Sequence, residues 1–252
     1  MEGVEELDDD EYDVEHVSIG QFPFQLRTLA CDSLPLEKLL ELEAAKTEIS
    51  GQRLWEGSLL LGSYLTSADG SKVSCGERKR VLELGCGCGL VGMLCCKLGA
   101  PLVHVTDGDE RSVSLAAGNL IANDCKGAAA SLLHFGDWCA LERLCNAPAR
   151  AEEEPPPQLE LFDLVLAGDV LYKSELLEPL LSTVKQALAP GGLFVLCHIP
   201  RAGVTHDMVR EALKSSGFGY ERVQVDPSEV EANNLCKDDA MRASLYLVTL
   251  EL

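Results

Sequence analysis

Basic residues are what this sequence is short of: 21 Lys and Arg stand against 41 Asp and Glu, for a formal charge of −20. That balance does not supply the broad cationic face that a nucleic-acid backbone requires, so no nucleic-acid partner is expected. The charge fits a basic protein partner, and it fits plain solubility equally well. No apolar run has membrane-spanning length and no secretory signal is present, so neither membrane insertion nor export is expected. The eleven cysteines, an odd number, therefore read as reduced residues of an intracellular protein. Cys86 and Cys88 have no second pair at zinc-site spacing, and no metal is expected. Internal repeats are missing, and so is a G-x-x-x-x-G-K-[ST] phosphate loop.

What is present suits one large α/β domain. The chain has 252 residues, enough for a sizeable core, and 46% of them are apolar. Nine of the first sixteen are Asp or Glu, so residues 1–16 read as a disordered acidic tail. Residues 17–50 read as an extension: a hairpin-like alternation over Val17 to Leu29, then a helix over Leu34 to Ala45. Residues 51–252 form the main domain, in which residues 146–160, with three glutamates followed by three prolines, read as a surface insertion.

From Val81 onward strands and helices alternate. Strands are expected over Val81 to Leu84, Leu102 to Thr106, Ala129 to His134, Asp163 to Ala167, Leu193 to Cys197, Tyr220 to Val225 and Leu245 to Leu250. Alternation of this kind demands right-handed crossovers and a largely parallel sheet covered on both faces. The last two strands lack a clear helix between them and read as an antiparallel hairpin. The fold class is therefore α/β: a Rossmann-like, seven-stranded, mostly parallel sheet with helices on both faces.

The first of these strands runs into Glu83-Leu-Gly85-Cys-Gly87-Cys-Gly89. Alternating glycines let a strand turn sharply into a helix and let a ligand approach the backbone. Asp107 ends the second strand, twenty-four residues after Glu83, where a carboxylate can accept both hydroxyls of a ribose. Asp169 follows the fourth strand. Ligands of such sheets bind beyond the carboxyl ends of the strands, so Glu83, Asp107 and Asp169 would converge on one crevice. Three carboxylates repel a pyrophosphate but suit a ligand with a ribose and a positive charge, which describes S-adenosyl-L-methionine.

Val81-Leu-Glu-Leu-Gly-Cys-Gly-Cys-Gly89, with Asp107, resembles the seven-strand class of S-adenosylmethionine-dependent methyltransferases. Leu54-Trp-Glu-Gly57, Asn119, Asp137-Trp138 and Asp169-Val-Leu-Tyr172 resemble methyltransferase family 16, known for lysine methylation of non-histone proteins. The resemblance implies that Glu83, Gly85 and Gly87 line the methionine part of the cofactor and that Asp107 holds the ribose. It places Trp138 beside the adenine with Asp137 near its amino group, Trp55 over the cofactor, and Asn119 and Ala167 in the cofactor site. Asp169 would orient the incoming amine and Tyr172 shape its slot, the two being the catalytic candidates. The expected substrate is a lysine-bearing protein, the expected state a monomer, and the expected location the cytoplasm and also the nucleus. Another protein nitrogen, a small-molecule acceptor, or a binding module without turnover remain open alternatives. An Asn-Pro-Pro-Tyr element, which stacks on an extruded base, is absent after the fourth strand.

Overall fold

The computed structural model describes residues 12–30, 49–77, 80–146, 159–224 and 236–250. The expected helix over Leu34 to Ala45 and most of the 146–160 insertion lie outside the described residues. So does the acidic stretch before Tyr12.

Two strands open the described chain, β1 (Tyr12–Ile19) and β2 (Phe22–Leu29), paired antiparallel through a two-residue turn at Gly20 and Gln21. Strand β1 therefore starts inside the stretch expected to be a disordered tail. The correction has a physical cause. Tyr12 is buried, its hydroxyl donates to Gln52 Oε1 at 2.6 Å, and the Arg27 guanidinium lies 5.3 Å from its ring centre. In β2, Phe24 and Leu26 face inward while Pro23 and Gln25 face out, the alternation of a half-buried strand.

Helix α1 (Glu56–Thr66) follows, and the sheet starts at β3 (Val81–Leu84). The chain continues through α2 (Leu90–Lys97), β4 (Val103–Asp107), α3 (Glu110–Ala122) and β5 (Ala128–Leu132). It returns through α4 (Trp138–Cys145), β6 (Phe162–Gly168), α5 (Leu177–Ala187) and β7 (Leu188–His198). The last elements are α6 (His206–Ser215), β8 (Phe218–Val223), α7 (Lys237–Arg242) and β9 (Ser244–Leu250).

The seven strands lie in the order β5-β4-β3-β6-β7-β9-β8, with β9 antiparallel to both of its neighbours and the other pairs parallel. The expected seven-stranded sheet and its antiparallel end are thus observed. Strand β7 begins five residues earlier than expected, at Leu188. Its register against β6 shifts across Pro190-Gly-Gly192, where proline cannot donate to the ladder.

Successive residues of β3 face opposite sides. Val81 joins the core under α1, α2 and the hairpin, whereas Leu82 and Leu84 join the core under α4, α5 and α6. The order reverses direction between β3 and β6: the chain runs outward to β5 on one side and to β7 on the other. A crevice opens beyond the carboxyl ends of strands at such a point.

The hairpin needs its outer edge covered, because an unpaired strand edge leaves backbone groups exposed. Two asparagines one turn apart, Asn119 on α3 and Asn123 at its C-terminal cap, do this. Asn119 Oδ1 accepts from the Arg27 N–H at 2.8 Å, and its Nδ2 donates to the carbonyls of Arg27 (3.1 Å) and Cys88 (2.9 Å). Asn123 repeats the pattern on Gln25, its Oδ1 accepting the Gln25 N–H at 3.0 Å and its Nδ2 donating to the Gln25 carbonyl at 2.8 Å.

Candidate active site

At the reversal point lies a cavity of about 520 Å³, the size of a cofactor site. Its floor is the glycine turn. Gly85, Gly87 and Gly89 all take positive φ (66°, 52° and 85°), the region that L side chains avoid. Packing demands glycine here too: a Cβ on Gly85 would stand 2.6 Å from Val170 Cγ1, and one on Gly87 2.7 Å from the Gly51 carbonyl.

Asp107 enters from the end of β4. Its Oδ2 accepts the Gly87 N–H at 2.9 Å and its Oδ1 accepts the Asp109 N–H at 3.1 Å. Each oxygen keeps acceptor capacity toward the cavity. Burial pushes its carboxyl above the usual range, while the N–H groups of Gly87, Asp109 and Gly108 hold it down. Leu133, Phe135, Val170, Leu176 and Pro179 form the apolar wall.

Asp169 enters from the end of β6, with φ at +61° and its N–H bonded to the Cys197 carbonyl at 2.9 Å. Its side chain is 2% exposed and meets Arg201 Nη2 at 2.6 Å. Oδ1 has no hydrogen-bond partner among the described residues. Burial pushes this carboxyl up to about 7; Arg201 opposes that shift, and Asp239 and Glu56 add to it. The Leu54-Trp-Glu-Gly57 stretch now has a reason: a Cβ on Gly57 would stand 2.3 Å from Asp169 Cβ, so only glycine lets the first turn of α1 reach β6. Trp55 caps that helix, donates from Nε1 to the Ser50 carbonyl at 2.6 Å, and receives the Arg201 guanidinium 5.1 Å from its ring centre. Tyr172 stands half exposed at the mouth, with Lys173 Nζ 5.3 Å from its ring centre.

Of the expected site residues, Trp55, Gly85, Gly87, Asp107, Asp169 and Tyr172 line this cavity. Five others do not. Glu83 is buried beneath the turn, where Oε2 accepts the Gly92 N–H at 2.8 Å. Helix α2 begins at Gly89, which has no capping side chain, so a carboxylate from β3 satisfies its first turn. Asn119 is fully used in joining the hairpin to the glycine turn. Asp137 caps α4, its Oδ1 accepting the Ala140 N–H at 3.0 Å, and Trp138 stands exposed in the first turn of that helix. Ala167 packs into the core beneath α5, leaving Gly168 at the cavity.

Phe135 and Arg201 are among the lining residues that the sequence did not point to. Phe135 was within reach of inspection: it follows the third strand and precedes Gly136-Asp137. Its Cζ lies 3.8 Å from where a Gly85 Cβ would stand. Arg201 gave no signal, because it comes from a turn after β7.

Glu83 carries a pH consequence. Burial pushes its carboxyl up to about 8, with Asp107 adding to the effect and the Gly92 N–H opposing it. An acid whose folded pKa exceeds its unfolded value holds its proton more tightly when folded. The stability this gives is fully present below the unfolded pKa and is lost as pH rises through the folded one. Glu83 and Asp169 act in the same direction, so the unfolding midpoint should fall from about pH 5 to about pH 8. E83Q keeps the Gly92 acceptor and should flatten that slope in a thermal scan; an unchanged slope would rule Glu83 out as its source.

Comparison with known proteins agrees with this geometry. The family described as lysine methyltransferase (Methyltransf_16) matches residues 36–212. Protein-lysine N-methyltransferase EFM3 of Chaetomium thermophilum is 30% identical over 67% of this chain and 48% of its own length. Protein N-terminal and lysine N-methyltransferase EFM7 of Yarrowia lipolytica is 27% identical over 71% of this chain and 69% of its own. The chain thus spans about half the length of the first of these relatives. Among solved structures, a T. thermophilus 16S rRNA N2 G1207 methyltransferase in complex with AdoMet and guanosine superposes with a TM-score of 0.59. It is 17% identical, over 95% of this chain and 51% of that one, a likeness of fold.

Proposed function

We propose, since this chain belongs to the lysine methyltransferase family, that it transfers a methyl group from S-adenosyl-L-methionine to a lysine side chain of a non-histone protein. The observation that carries the reading is one cavity with Asp107 beside the glycine turn at one end and buried Asp169 at the other. The donor set fits the cofactor: a carboxylate with acceptor capacity for ribose hydroxyls and an apolar wall for a purine. When bound, the cofactor supplies an electrophilic methyl carbon on positively charged sulfur.

The chain's own residues do the rest. Asp107 accepts from the ribose and keeps the turn in place through Gly87. Leu133, Phe135 and Pro179 exclude water from the purine. Asp169 accepts a hydrogen bond from the substrate nitrogen and holds it in line, and Tyr172 borders the slot at the mouth. A lysine must lose its proton before it can attack, from a reference pKa of about 10.4. Burial next to a positive sulfur lowers that value, against the opposing pull of the Asp169 carboxylate. The charge of −20 is compatible with a basic protein acceptor, and the same reading takes the enzyme as a monomer of the cytoplasm and nucleus. Among the described residues, no helix is long and apolar enough to cross a membrane.

Calorimetry with S-adenosylmethionine tests the cofactor, and mass spectrometry of a cell extract incubated with the protein and labelled cofactor tests the acceptor. Label confined to small molecules would sink the lysine reading. The purine wall has its own test. F135A should weaken cofactor binding about tenfold, as the loss of one aromatic contact implies. W138A should change it less than about twofold, since that ring does not reach the cavity. Reversed effects would return the purine to Trp138.

A further inference from the structure

Asp169 is a carboxylate almost sealed from water, and a buried charge is tolerated only with a partner. The partner it has comes from the chain itself. Arg201 sits on a tight turn that closes with the Val204 N–H donating to the Arg201 carbonyl at 2.9 Å, with Ala202 and Gly203 at positive φ. Arg242 braces the turn by donating to the Pro200 carbonyl. The backbone is therefore fixed, while the side chain reaches over a lining position of the cavity, 27% exposed, to Asp169.

The place its guanidinium occupies has a carboxylate on one side and the face of Trp55 on the other, with Glu56 and Asp239 adding negative charge. An anion plus an aromatic face is how proteins hold an alkylammonium ion. We propose that Arg201 is an internal stand-in for the substrate ammonium: it fills the seat between Asp169 and Trp55 and swings out when a lysine enters. The inference rests on the reading of Asp169 as the residue that receives the substrate amine. A guanidinium and an ammonium cannot occupy the same place between Asp169 and the Trp55 ring, so entry into that seat and displacement of Arg201 are one event. Substrate affinity is then reduced by the fraction of time the seat is open. Arg201 is a specificity-determining residue: an acceptor that cannot compete for the carboxylate does not open the slot.

The test uses n-butylammonium, the length of a lysine side chain, titrated calorimetrically into the full chain saturated with S-adenosylhomocysteine. R201M, which keeps an unbranched apolar stem, should bind it about tenfold more tightly than the wild type, as expected for a seat open about one tenth of the time. Methylguanidinium should compete with n-butylammonium in R201M, because both fill the vacated seat. Unchanged or weaker binding in R201M, or simultaneous binding of the two ions, overturns the proposal. D169N separates it from the reading beneath. If D169N weakens binding while R201M does not improve it, Asp169 is the amine seat and Arg201 is not its occupant. If the gain persists in a D169N/R201M double variant, Asp169 is not the seat and both fall.

Discussion

Asp107→Ala should raise the dissociation constant for S-adenosylmethionine by about a thousandfold while leaving a folded protein. A hydrogen bond to a charged group contributes about 1.5–3 kcal/mol, and a ribose offers two hydroxyls to this carboxylate. Two such bonds give about 4 kcal/mol, which is about three decades in affinity. The carboxylate also holds the cavity floor, since Oδ2 fixes the Gly87 N–H and Oδ1 the Asp109 N–H. Asp107→Asn keeps one acceptor oxygen and should lose only about one to two decades. Calorimetry with the cofactor and with S-adenosylhomocysteine, beside a thermal scan, reads the effect. A loss below about fivefold in Asp107→Ala would remove Asp107 from the ribose.

Asp107 was legible in the sequence for a reason that did not extend to every polar residue near it. The alternation of Val81 to Leu84 with glycines places the turn, and strand ends on one side of a parallel sheet converge, so Asp107 and Asp169 follow from order alone. Glu83 belongs to the same motif, yet its side chain goes the other way. The clue lay in Gly89: a helix that begins on glycine must take its cap from elsewhere, and the nearest carboxylate is one strand back. Asp137 carried an ordinary capping signal, Asp ahead of apolar residues at helical spacing (Leu141, Leu144), which the neighbouring Trp138 obscured. Asn119 could not have been read at all. Its partner is the edge of a strand ninety-two positions earlier, a contact made by tertiary packing rather than by local pattern. Arg201 fails for the same reason, since nothing in the chain near a turn after β7 points to a carboxylate at the end of β6.

Asp169→Asn should lower turnover by about two to three decades with cofactor affinity nearly unchanged, the opposite division from Asp107. Asparagine is the right replacement. Residue 169 has φ at +61°, a region that Asn enters readily and Ala does not, and the amide keeps the volume packed against Gly57. What disappears is the charge. A neutral amide can still accept one hydrogen bond, but it no longer draws a cation into the slot or orients a nitrogen through two equivalent oxygens, and misalignment of a displacement costs about a hundredfold or more. The pH profile carries the sharper sign. With a free-enzyme carboxyl near 7, kcat/KM in the wild type should rise as pH passes through about 7, because the ionised form is the one that receives the substrate. D169N should lack that limb and stay low on both sides of it. A variant that retains the limb, or that loses cofactor binding as severely as Asp107→Ala, would show that the acid at the end of β6 serves the fold of the pocket rather than the amine.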